Sequence, residues 1–132
     1  MNRARQLVLL DSIAHIGAPC AGQVVVSGSH GGSSAAGFVL EQPAPPYAVF
    51  FNDAGVGKDG AGMVALSLLQ PRGVACAVYS HLSARIGDAA DGRDHGVLTH
   101  LNAAAGAAGL AVGMAVRDAL AKLGVDLRAI TR

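Results

Sequence analysis

Three continuous apolar runs decide what this chain can fold into. Val24-Val25-Val26, Ala48-Val49-Phe50-Phe51 and Val74-Ala75-Cys76-Ala77-Val78-Tyr79 are rich in β-branched and aromatic residues and show no alternation of polar with apolar positions. A strand with one face in water alternates, whereas a strand covered on both faces does not. The confident strands are therefore Gln23 to Ser27, Tyr47 to Asn52 and Val74 to Tyr79. Between them, Ser33 to about Glu41 and Met63 to Leu69 read as helices, the first capped by Ser33 or Ser34. Pro43, Pro45 and Pro46 end one helix and Pro71 the other. Strands joined through helices pair in parallel. The expected fold is a small three-layer α/β domain spanning 1–132, with a mostly parallel sheet of three to five strands flanked by helices.

The remaining segments are less determined. Leu7 to Ile16 suits either a helical face or a short buried strand. Ser80 to His95 reads as a polar loop, and the chain then turns helical from about Gly96 through Val97, Leu98 and Leu101. Gly109 to Gly113 interrupts this, and Met114 to Leu123 forms a last helix ending at Gly124.

Composition narrows the function classes. Of the 132 residues, 14% are charged and 52% hydrophobic, against about 25% charged in an average soluble domain. The mean hydropathy is +0.41, yet no apolar run approaches the roughly 18 residues of a membrane span. So much apolar surface on so short a chain points to a homo-oligomer. A net charge of +1 with 4% aromatics leaves neither the basic patch nor the stacking platform of a nucleic-acid binder. Asp11 and His15 interrupt the apolar start of the chain, so the segment is read as part of a cytoplasmic protein and not as a signal peptide. Cys20 and Cys76 lack any CxxC spacing, and Cys76 sits mid-strand as a small hydrophobe.

In a parallel α/β sheet, ligands bind at the carboxyl ends of the strands, and the polar residues of this chain collect there. The first strand end offers Ser29 and His30, followed by Gly32 and Ser33 at a helix start suited to an anion. The second offers Asn52 and Asp53, with Lys58 in the glycine-rich loop beyond. The third offers Ser80, His81, Ser83, Arg85 and Asp88. His30 and His81 are expected to exchange protons. Ser83 or Ser80 is the candidate nucleophile, and Asp88 is the expected partner of His81. Ser29, Gly32, Ser33, Asn52, Asp53, Lys58 and Arg85 would bind the ligand, with Arg85 gripping an anion bidentately. Asn102 is expected to face the same edge. Asp91, Asp94, His95 and His100 follow nearby; two histidines with carboxylates make a divalent metal conceivable, but no HxH or HExxH spacing supports it and no cofactor is expected.

Known motifs do not fit. Gly55 to Gly62 fails as a P-loop, because Asp59 follows Lys58 and Asn52 stands where the first glycine belongs. Ser27-Gly28-Ser29-His30-Gly31 lacks the spacing of a lipase-type GxSxG elbow. In their order, Val26 to Gly31 and Phe50 to Gly55 resemble the two active-site strand ends of caspase-like cysteine peptidases. Ala54 stands where that family has its cysteine, so the resemblance implies no peptidase activity. The expectation is an enzyme of hydrolase or lyase type that acts by acid–base chemistry on a small anionic or amide-bearing metabolite. The alternatives are a non-catalytic ligand-binding or regulatory module and an assembly subunit.

Overall fold

The computed structural model describes residues 5–127, except the side chains of Lys58 and Asp59. Five strands form one sheet: β1 (Leu7–Leu10), β2 (Val24–His30), β3 (Ala48–Asn52), β4 (Ala75–Tyr79) and β5 (Leu98–Leu101). Their spatial order is the same as their order in the chain. The first four pair in parallel, with Val24, Val25 and Val26 opposite Ala48, Val49 and Phe50, and β5 runs antiparallel to β4. The α/β architecture is thus as the apolar runs imply, and every residue of β3 and β4 is buried.

Helices α1 (Ser33–Leu40), α2 (Val64–Leu69), α3 (Ala89–His95), α4 (Ala103–Ala107) and α5 (Val116–Lys122) cover the sheet. The segments joining the parallel strands all lie on one face. Ile13 and Cys20 between β1 and β2, Ala35 and Val39 of α1, and Ala65 and Leu69 of α2 pack there on Val25, Val49, Phe51, Cys76 and Val78. The opposite face carries Val24, Val26, Phe50, Ala77 and Tyr79 under Ala89 of α3, Ala105 of α4, and Val116, Ala119 and Leu120 of α5. The chain therefore leaves β3 toward one face and β4 toward the other. Connections that diverge in this way open a crevice between neighbouring strand ends.

Three expectations for local structure are corrected. Gly96 to Leu101 is not helical: Leu98 to Leu101 form the antiparallel strand β5, where pairing with β4 overrides local helix preference. The expected loop from Ser80 to His95 contains α3, whose N-cap Asp88 accepts from Asp91 N. Helix α1 is capped at Gly32 without a side-chain bond, so Ser33 and Ser34 are its first residues and not its cap. The ambiguous amino-terminal segment resolves into strand β1 and a 3-10 turn, Ile13–His15. The last helix ends near Gly124, at a φ of +83°.

The chain ends of the described region meet: Arg5 bridges Val125, and its guanidinium stacks 3.7 Å above the centre of the Tyr47 ring.

Candidate functional site

The adjoining carboxyl ends of β3 and β4 hold a carboxylate–imidazole pair. Asp53 follows directly on β3, and His81 lies two residues beyond β4. Asp53 is fixed from its main chain outward, since its N–H donates to Tyr79 O at 2.8 Å. Its side chain is 6% exposed. Oδ1 accepts from Gly55 N at 2.8 Å, His81 N at 3.0 Å and His81 Nδ1 at 3.2 Å. Oδ2 accepts from Thr99 Oγ1 at 3.0 Å. Burial works against the charge, but these hydrogen bonds outweigh it and hold the carboxyl below its ordinary value. An ionised carboxylate can only accept, so in the neutral ring Nδ1 of His81 carries the proton and Nε2 the lone pair. Among the described residues Nε2 has no hydrogen-bond partner, and the His81 side chain is 46% exposed.

The loop after β3 frames this pair. Ala54, Gly55, Val56 and Gly57 have φ of +52°, +74°, +74° and +75°. For a β-branched residue such as Val56 this is a strained conformation. Val56 N donates to Asp53 O and Gly62 N to Val56 O, each at 2.6 Å, closing the loop tightly. A Cβ on Gly55 would stand 3.4 Å from the His81 ring, so the loop lies against the imidazole.

The other candidate residues fall into separate roles. The expected pairing of His81 with Asp88 is corrected: Asp88 caps α3, and the carboxylate at His81 is Asp53. Ser83 Oγ donates to Ser80 O at 2.7 Å and accepts from Val97 N at 3.0 Å, so its proton is committed to the main chain. Ser80 Oγ accepts from Leu82 N. Fully buried Asn52 donates to Ala84 O and accepts from Ala54 N, which pins the His81 loop to the end of β3. Arg85 is exposed, and its guanidinium makes no hydrogen bond or ion pair among the described residues; its N–H is held by Asp91 Oδ2 at 2.7 Å. The Lys58 side chain lies outside the described residues.

His30 shares the edge but lies at the end of β2. Because β3 separates β2 from β4, their ends stand about 10 Å apart. His30 lines a shallow cleft of about 210 Å³ with Ser12, Ile13, Ser29, Ser34 and Ala35. Gly32 lies against its ring, and Ser29 Oγ accepts from Ile13 N. No hydrogen bond joins His30 to His81 or Asp53 among the described residues, and His30 instead pairs with Asn52 across β2 and β3. Asn102 is also corrected. Because β5 is antiparallel, its far end reaches the amino edge of β4, where the Asn102 amide binds Val74 O and Cys76 N. No cluster of three or more metal-ligating side chains occurs among the described residues, and none of their helices is long and apolar enough to cross a membrane.

Sequence reasoning named Asp53 and His81 but not their pairing, and it missed Thr99. A lone threonine in a four-residue edge strand carries no local signature. The helix α3 did have one, the Asp88-to-Asp91 spacing of an N-cap.

The pair has a consequence for acid stability. A carboxyl depressed in the folded state stabilises the fold above its unfolded value near 3.8. That stabilisation is lost as pH falls through the lower folded value. Asp91 and Asp94 are depressed as well, by bonds from Arg85 N and the Arg93 side chain respectively. Urea midpoints measured from pH 6 down to pH 2 are expected to fall below about pH 4, with a shallower fall in Asp53→Asn. Identical acid limbs in parent and variant would contradict this account of Asp53.

Comparison with protein-family models, curated protein sequences and solved structures found no match to the chain.

Proposed function

We propose that the protein is an enzyme acting by acid–base chemistry on a small anionic or amide-bearing metabolite, of hydrolase or lyase type, with His81 as the proton-transfer group. The observation carrying this reading is the buried, ionised Asp53 bonded to Nδ1 of a half-exposed histidine whose Nε2 has no partner among the described residues. Nε2 would take a proton from the substrate or from an attacking water. Asp53 would stabilise the resulting imidazolium, which returns the proton to the leaving group. The open guanidinium of Arg85, on the same loop as His81, favours an anionic ligand. His30, at the end of β2, is read as a second binding position and not as part of the proton path.

The same reading includes a homo-oligomer in the cytoplasm. Leu82 is 86% exposed, Val112 63% and Ile86 50%, which leaves apolar side chains available for subunit contact.

The test is to measure binding and turnover of a panel of small carboxylates, phosphates and carboxamides by the parent and by His81→Gln. The expected result is a ligand that both proteins bind, with turnover about 100-fold lower in the variant. Equal turnover would remove His81 from the mechanism. Binding by the parent without turnover of any member would favour the ligand-binding module.

A further inference from the structure

We propose that Thr99 is a positioning residue that locks the Asp53 carboxylate in the rotation that serves His81; this rests on reading His81 as the proton-transfer group. The strand register supplies the first argument. Ala77 pairs with Leu101 and Val78 with His100, but Tyr79 pairs with Leu98, so Thr99 is an extra residue with no partner on β4. A bulge of this kind re-aims a side chain and is common beside active sites. Here the side chain is Thr99, and its hydroxyl meets Asp53 Oδ2 at 3.0 Å.

The donor count supplies the second argument. Oδ1 of Asp53 receives three N–H groups, from Gly55, from the His81 main chain and from the His81 ring. Oδ2 receives only Thr99 among the described residues. The Thr99 hydroxyl has one proton and two acceptors within reach, Asp53 Oδ2 and Val78 O at 3.4 Å. The anionic oxygen is both nearer and the stronger acceptor. With that bond in place both carboxylate oxygens are anchored, and the plane of the group is fixed facing His81. Without it, a buried anionic oxygen is left unpaired, which favours the protonated form.

The experiment needs no substrate. In the full chain, the ring nitrogens of His81 and the carboxyl carbon of Asp53 are followed by NMR across pH in the parent, Thr99→Val and Thr99→Ser. Valine keeps the shape and removes the donor, while serine keeps the donor. In the parent, neutral His81 is expected to carry its proton on Nδ1. In Thr99→Val the Asp53 midpoint is expected to rise by about one pH unit and the two His81 tautomers to mix, whereas Thr99→Ser matches the parent. A Thr99→Val protein identical to the parent in both signals would overturn the proposal, as would Thr99→Ser behaving like Thr99→Val. A parent whose neutral His81 carries its proton on Nε2 would instead defeat the reading of His81 as a base, with the Asp53 midpoint still deciding the role of Thr99.

Discussion

Replacing Asn102 with alanine is expected to cost the fold about 4 kcal/mol, the largest single loss foreseen for a polar side chain in this protein. The amide is 7% exposed and fully engaged. Its oxygen accepts from Cys76 N at 3.0 Å and Ala105 N at 2.9 Å, and its nitrogen donates to Val74 O at 3.0 Å and Leu66 O at 3.2 Å. It therefore ties the start of β4 to α2 and caps α4. Alanine would strand two donors and two acceptors, each buried orphan costing about 1–3 kcal/mol before relaxation. Aspartate is not a substitute, because it places a carboxylate oxygen against two carbonyls. Urea unfolding of Asn102→Ala measures the loss, and a change below about 1 kcal/mol would show that water replaces these bonds.

Gly62→Ala is expected to damage fold and site together. A Cβ on Gly62 would overlap the carbonyl oxygen of Asp53 and stand 3.0 Å from that of Val56. Both obstacles are main chain, so no side-chain rotation relieves them, and overpacking of this kind costs about 1–3 kcal/mol. The loop it presses on already holds Val56 at a φ of +74°. Relief by movement of that loop would shift Asp53, which is held to His81 by hydrogen bonds. The expected outcome is a stability loss of about 3 kcal/mol together with loss of the Nδ1–H signature of His81 in the ring-nitrogen spectrum. A variant with parental stability and an unchanged His81 signal would refute the crowding argument.

The strands were legible because burial on both faces leaves a continuous apolar run, and β2, β3 and β4 each have one. Residues Ala89–His95 of α3 and Leu98–Leu101 of β5 were not legible for the opposite reason. The first is a polar, glycine-containing helix, and the second is a short strand whose identity depends on β4 beside it. The direction of β5 also decided Asn102, which a helix at that point would have left near the carboxyl edge. At the candidate site, residue types were readable but their partners were not. Asp88 is near His81 in the chain, whereas Asp53 is near it in space because β3 and β4 are neighbours. His30 and His81 share an edge but are separated by a strand, a spacing set by strand order alone.

The agreement between spatial and chain order has a consequence for how the molecule is made. A chain synthesised from its amino end can add each strand to one that has already emerged, so strand pairing never waits for a distant segment. The Asp53–His81 pair can form once β4 joins β3, but the Thr99 hydroxyl arrives only with the last strand. On a ribosome, the Asp53–His81 pair would exist before Thr99 joins it.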